Sequence, residues 1–226
     1  MNSVISQNLS GISRVVHGFL SKNFNGDIDE AAHCSGLESI YTIKQVHSNM
    51  VFLLNDESTE VKGRVGDAIV TTMRNLGVGI YTADCVPLLL VDEEAKVVAA
   101  VHAGWRGTLS GIVNMTIKSI EKDFGILPSN ISAAIGPSIG MCCYEVGEEV
   151  AVQFMNKYDE WSELLYKKND SKYFLDLRMA NVKNLLYAGV ANFEVMDICT
   201  MCNRDFHSYR REGKRVGKQL SFIGLV

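Results

Sequence analysis

Basic charge is in short supply in this sequence. Lys and Arg number 22 against 26 Asp and Glu, giving a formal net charge of −4. No broad positive field exists to draw in nucleic acid or an anionic membrane. Long apolar runs are also missing. The longest, such as residues 97–101, are strand-sized, so no membrane span is expected. Residues 1–24 alternate polar and apolar, without a basic stretch leading into an apolar one, so no secretory leader is expected. Proline is rare, with three in the chain, and no repeat or low-complexity tract interrupts it. One continuous domain over residues 1–226 is therefore the simplest account. The expected setting is the cytoplasm, with the chain a monomer and its six cysteines reduced.

What is present is an ordinary globular composition. Hydrophobic residues make up 47% of the chain, enough for a core that needs no disulfides. Short β-branched runs predict strands over 40–46, 51–54, 68–72, 78–82, 87–91, 97–102, 131–135, 194–198 and 219–225. Apolar residues at helical spacing predict a helix over 112–124, stopped by Gly125 and Pro128. Asp176 is suited to cap a second helix running to Ala188, with Gly189 after it. A third helix is predicted over 147–156. The early strands follow one another without intervening helices. That order predicts mixed or antiparallel pairing, and so an α+β, layered α/β sandwich rather than a doubly wound parallel sheet.

Chemistry-bearing residues stand at the ends of several apolar runs. His47 closes Lys44-Gln45-Val46-His47, Cys85 closes Thr82-Ala83-Asp84-Cys85, and His102 closes the 97–102 run. Strand ends reach the rim of a sheet, where loops open pockets, so three neighbouring strands could bring imidazole, thiolate and imidazole together. Such a set suits zinc and leaves a fourth position for water or substrate. The plainer reading stands beside it: a cysteine after an apolar run packs as a small hydrophobe, and a strand histidine is a hydrogen-bonded core residue. Gly104 and Gly107 bracket Trp105 and Arg106, which could cover a base or sugar face and grip an anion, or simply form a strand-to-helix corner.

The remaining cysteines read as structural. Cys142 and Cys143 are adjacent, so they neither bridge easily nor share one metal easily, and they are expected to line a loop. Cys199 and Cys202 have redox or zinc-knuckle spacing without an accompanying second pair, and a reduced, partly buried pair is expected. The C-terminal cations Arg210, Arg211, Lys214, Arg215 and Lys218 read as a solvated run, though His207 to Arg211 could border an anion site.

Four segments together carry a specific resemblance: Thr82-Ala83-Asp84-Cys85, Val101-His102-Ala103-Gly104-Trp105-Arg106-Gly107, Ile135-Gly136-Pro137-Ser138-Ile139-Gly140 and Phe206-His207-Ser208-Tyr209-Arg210-Arg211. They resemble the YfiH-like family, also called the polyphenol-oxidase or laccase-domain family. Gln45-Val46-His47 and Gly66-Asp67-Ala68 fall where that pattern expects them, and the resemblance runs from about His17 to the C-terminus. Phe206-His207 departs from the pattern at a position where many members carry a second aromatic, which bears on the pocket rim. The resemblance implies a layered α/β fold with Zn2+ on His47, Cys85 and His102, and copper as an alternative occupant. It also implies purine nucleoside chemistry: phosphorolysis of adenosine, inosine and methylthioadenosine, and deamination of adenosine. Under that implication Cys85, His102 and Asp84 are the candidate catalytic residues, Asp84 either carrying a proton or orienting a ligand. Lys44, Arg106 and Arg210 are the candidate phosphate clamps.

Two rival functions meet constraints of their own. A multicopper oxidase needs a cluster rich in imidazole, and five histidines cannot supply it. A cysteine hydrolase acting on cell-wall precursors, an activity attributed to some members, needs Cys85 free as nucleophile with His102 as base.

Overall fold

The computed structural model describes residues 3–24, 27–56, 61–169 and 171–226. Two mixed sheets stack on each other. The outer one runs in the order β1 (Ser3–Val4), β2 (Val15–Leu20), β14 (Gln219–Leu225), β6 (Leu76–Thr82), β3 (Ser39–Thr42). The inner one runs β13 (Asn192–Val195), β9 (Ile131–Ile135), β7 (Val86–Asp92), β8 (Val98–Ala103), β5 (Ala68–Thr71), β4 (Val51–Leu54). A third, small ladder joins β10 (Glu145–Gly147), β12 (Lys172–Leu175) and β11 (Leu165–Asn169). The helices are α1 (Gln7–Ser10), α2 (Ile28–Cys34), α3 (Trp105–Ser110), α4 (Ile112–Phe124), α5 (Glu148–Lys157), α6 (Leu177–Tyr187) and α7 (Tyr209–Glu212).

Side-chain alternation sets the layers. In β7, Leu88 and Leu90 join a cluster with Ile117, Ile120 and Leu185 of α4 and α6. Leu89 and Val91 point the other way and meet Val78, Ile80 and Ile223 of the outer sheet. Both faces of β7 are thus covered, which is why it reads as an unbroken apolar run. The outer sheet's far face, with Leu220 and Phe222, packs against Ala31 and Ala32 of α2. Helix, sheet, sheet, helices is therefore the layer order.

The expected fold class is the observed one, with mixed sheets flanked by helices. Helix α4 spans the predicted residues, with Gly125 closing it at φ 70°. Asp176 caps α6 by accepting from the Met179 amide. Strand β13 begins two residues earlier than predicted and ends at Val195, because its partner β9 ends there too. The strand predicted over 40–46 ends at Thr42, and the pattern missed β1, β2, α1, α2, α3, α7 and the small ladder, most of them too short for a period to show. No helix among the described residues is long and apolar enough to cross a membrane.

Candidate metal centre

The chain changes sheets between β6 and β7, and residues Ala83 to Cys85 make that crossing. Cys85 therefore sits at the open end of the space between the sheets. Next to it, the β7–β8 pairing sets Pro87 opposite His102. His102 shares the inter-sheet face with Val98 and Ala100 by period-2 alternation. His47 comes from the turn after β3, with the left-handed backbone φ of 61° that only an enforcing environment sustains for a side chain this size.

That environment is Asp67, which is completely buried. Its carboxylate accepts from the amides of His47 at 2.9 Å and Ser48 at 2.6 Å, and from the Ser48 hydroxyl at 2.7 Å. It also accepts from His102 Nδ1 at 2.8 Å, while the Asp67 carbonyl accepts the His102 amide at 2.7 Å. One carboxylate thus holds the His47 turn and fixes the His102 ring with Nε2 turned away from it. Burial pushes the Asp67 carboxyl up, but the His102 and Ser48 hydrogen bonds outweigh this and hold it far below the usual range.

The ligand-capable atoms of His47, Cys85 and His102 lie within 4.8 Å of one another. Cys85 Sγ is 3.9 Å from His47 Nε2, and the two imidazoles meet edge to face with centroids 4.8 Å apart. Gly104 makes the convergence possible: a Cβ there would come within 2.9 Å of His47 Cδ2 and 3.2 Å of Cys85 Sγ. Burial would raise the Cys85 thiol, yet hydrogen bonds to His102 and His47 bring it down to about 6. Burial would lower His102, yet its bonds to Asp67 and Cys85 raise it to about 9. Each group thus favours the charged form of the other. Two imidazoles, a thiolate and a carboxylate behind one of them form a donor set that fits a borderline-soft dication.

The centre opens into a cavity of about 530 Å³, within the range for a small-molecule site. Trp105, Tyr144 and Tyr209 supply aromatic wall, and Arg106, Arg210 and Lys218 supply positive charge. The Arg106 guanidinium stacks 4.2 Å above the Trp105 ring. Lys44 is exposed and does not line the cavity; its main chain bridges to Val65 instead. Lys218, read from sequence as part of a solvated run, lines the wall. Asp84 reaches the cavity edge, with φ 87°. Its carboxylate accepts from Thr200 Oγ1 at 2.6 Å, Ser208 Oγ at 3.1 Å and the Arg210 amide at 2.7 Å. Phe206 is buried and is not part of the cavity lining. Sequence reading gave Asp67 no role; an acidic residue opening an otherwise apolar strand was the available signal.

A family model described as "Multi-copper polyphenol oxidoreductase laccase" matches residues 23–226. The chain belongs to this family. Among its relatives in the family, a purine nucleoside phosphorylase of Clostridium acetobutylicum is 37% identical over 201 residues, covering 88% of this chain and 82% of that protein. A protein named adenosine deaminase RL5, from an unknown prokaryotic organism, is 34% identical over 200 residues, covering 84% and 75%. The crystal structure of the hypothetical protein YfiH from Bacillus licheniformis superposes with a TM-score of 0.90 at 26% identity, covering 100% and 97%.

Proposed function

We propose that this family member is a zinc-dependent purine nucleoside enzyme that phosphorolyses adenosine, inosine and S-methyl-5′-thioadenosine and also deaminates adenosine. The observation that supports it most directly is the three-donor centre opening into a cavity walled by aromatic rings and cations. His47, Cys85 and His102 would hold the zinc. When bound, it would supply Lewis acidity and acidify a water toward a pKa of about 7.

The chain's own residues divide the remaining work. Asp67 holds the His47 turn and the His102 tautomer. Stacking on Trp105 occupies the face of Arg106 and leaves its in-plane N–H donors for phosphate oxygens. Arg210 donates to the Cys143 and Glu145 carbonyls at 3.4 and 2.9 Å, so it acts as a fixed positive charge in the wall. In phosphorolysis the C1′–N9 bond breaks, the base leaves with the electron pair, and phosphate oxygen bonds C1′. Cations against phosphate and an aromatic face against the base suit that exchange. With three donors already on its carboxylate, Asp84 suits the positioning of α7 and Arg210 better than proton transfer.

Copper oxidase chemistry finds less support. His17 Nε2 accepts from the Ser6 amide, and His207 Nδ1 lies 3.5 Å from Glu212. Neither belongs to the donor group of His47, Cys85 and His102. The Cys85 sulfur lying beside the His47 and His102 imidazoles does favour a second reading, a cysteine hydrolase working without metal.

One assay separates the two. Metal-replete protein is incubated with a nucleoside panel, with and without phosphate, and the products are separated. Phosphate-dependent release of base is expected, with Cys85→Ala losing at least about a thousandfold in turnover and Arg106→Ala raising the phosphate KM about tenfold. Unchanged turnover in Cys85→Ala would sink the zinc reading. Rapid alkylation of Cys85 in metal-replete protein would favour the hydrolase.

A further inference from the structure

Against the expectation that adjacent Cys142 and Cys143 would not share one metal easily, their sulfurs come together in space with those of Cys199 and Cys202. β9 and β13 run parallel, with Ile135 paired to Val195, so both chains leave the sheet at the same edge. The loops that follow stay together: the Ser138 amide donates to the Ile198 carbonyl at 3.2 Å, and the Thr200 amide donates to the Ser138 carbonyl at 3.0 Å. The first loop then delivers Cys142 and Cys143, and the second delivers Cys199 and Cys202. All four sulfurs lie within 4.8 Å of one another. Cys202 Sγ is 3.9 Å from Cys142 Sγ and 3.3 Å from Cys143 Sγ.

We propose that Cys142, Cys143, Cys199 and Cys202 form a second, structural zinc site. Tetrahedral zinc–thiolate bonds of about 2.3 Å require sulfur–sulfur separations of about 3.8 Å, and the observed separations bracket that value. The surroundings of Cys199 suit a bound thiolate, while burial and the neighbouring sulfurs push the Cys142 and Cys143 thiols up, so a metal there would have to displace their protons. The Gly140 amide donates to Cys199 Sγ at 3.2 Å, and the amides of Met201 and Cys202 point at the same sulfur. Successive amides turned on one atom form the concave donor arrangement that stabilises an anion. Zinc with four thiolates carries a net charge of −2, and two arginines tie the same loops together. Arg211 donates to the Thr200 and Met201 carbonyls at 2.8 Å each, and Arg210 reaches the Cys143 carbonyl at 3.4 Å. Four protein donors leave no open position, unlike the centre at His47. The consequence is structural: Ile139, Tyr144 and Arg210 line the cavity, and each belongs to a segment tied into this cluster.

The test is metal content per chain by mass spectrometry, with each site removed in turn. Wild-type protein is expected to carry two zinc ions per chain. The double variant Cys85→Ala/His102→Ala is expected to keep one, and Cys199→Ser/Cys202→Ser to lose one and melt several degrees lower. Exchanging cobalt into the Cys85→Ala/His102→Ala protein should give the intense thiolate-to-cobalt absorption of a tetrahedral four-sulfur site. That variant leaves all four cysteines in place, so it answers even if the serine variant fails to fold. It also answers independently of whether the cavity processes nucleosides. A metal-free Cys85→Ala/His102→Ala protein would overturn the proposal, as would a Cys143–Cys202 disulfide in freshly purified wild type.

Discussion

Two clusters of soft donors, one lining the cavity and one on the loops that carry Ile139 and Tyr144 into its wall, are built by different means. The His47, Cys85 and His102 group has three donors, one buried carboxylate behind it, and a cavity in front. The Cys142, Cys143, Cys199 and Cys202 group has four donors, with amides and arginines around it. The first is carried by the turn after β3, the crossing between the sheets and the β7–β8 hairpin. The second is carried by two loops set side by side by the parallel pairing of β9 with β13 and tied by the Ser138–Ile198 and Thr200–Ser138 hydrogen bonds. Three donors facing a cavity go with the inter-sheet seam, and four donors go with paired loops.

The largest expected effect that would separate the two clusters comes from Asp67→Ala. It removes the acceptor of the His47 and Ser48 amides and of the His102 ring, leaving buried donors unpaired. Zinc affinity at the His47 centre should fall about 10- to 100-fold, measured by competition with a chelator, while the four-cysteine site keeps its metal. Loss from both sites together would mean that they do not act as separate units.

A smaller and more symmetrical test uses the two glycines that abut the sulfurs. A Cβ at Gly104 would press on His47 and Cys85, and one at Gly140 would lie 3.3 Å from Cys142 Sγ and 3.0 Å from the Arg178 guanidinium. Overpacking of this kind costs about 1–3 kcal/mol. Gly104→Ala should therefore weaken only the three-donor centre, and Gly140→Ala only the four-cysteine site, each read from the metal retained after graded chelation.

The smallest effect is a titration in metal-free protein. The Cys85 pKa is depressed to about 6, so its thiolate is present above that pH and lost below it. His102, raised to about 9, stays protonated across the same interval. The ultraviolet thiolate signal that disappears in Cys85→Ala should therefore rise through pH 6 and be complete well before 9. A midpoint near that of an ordinary thiol would show that the imidazoles do not hold the thiolate.

Much of the fold could be read along the chain. The Ile112–Phe124 helix and its glycine stop, the Asp176 cap and the apolar runs of β7 and β8 are local patterns, in which each residue's neighbours in sequence are also its neighbours in space. Residue types by themselves determined that His47, Cys85 and His102 were chemically able to share a metal, and that five histidines were too few for a multicopper cluster. Tertiary structure alone decided the rest. It buried Asp67 behind His102, turned Lys218 rather than Lys44 onto the cavity, and surrounded the Asp84 carboxylate with three donors. It also brought Cys142 and Cys143 to Cys199 and Cys202, across a gap of about sixty residues. The physical reason is the same each time. A hydrogen bond or a metal needs atoms within a few ångströms, and only strand pairing and sheet stacking determine which distant residues arrive there.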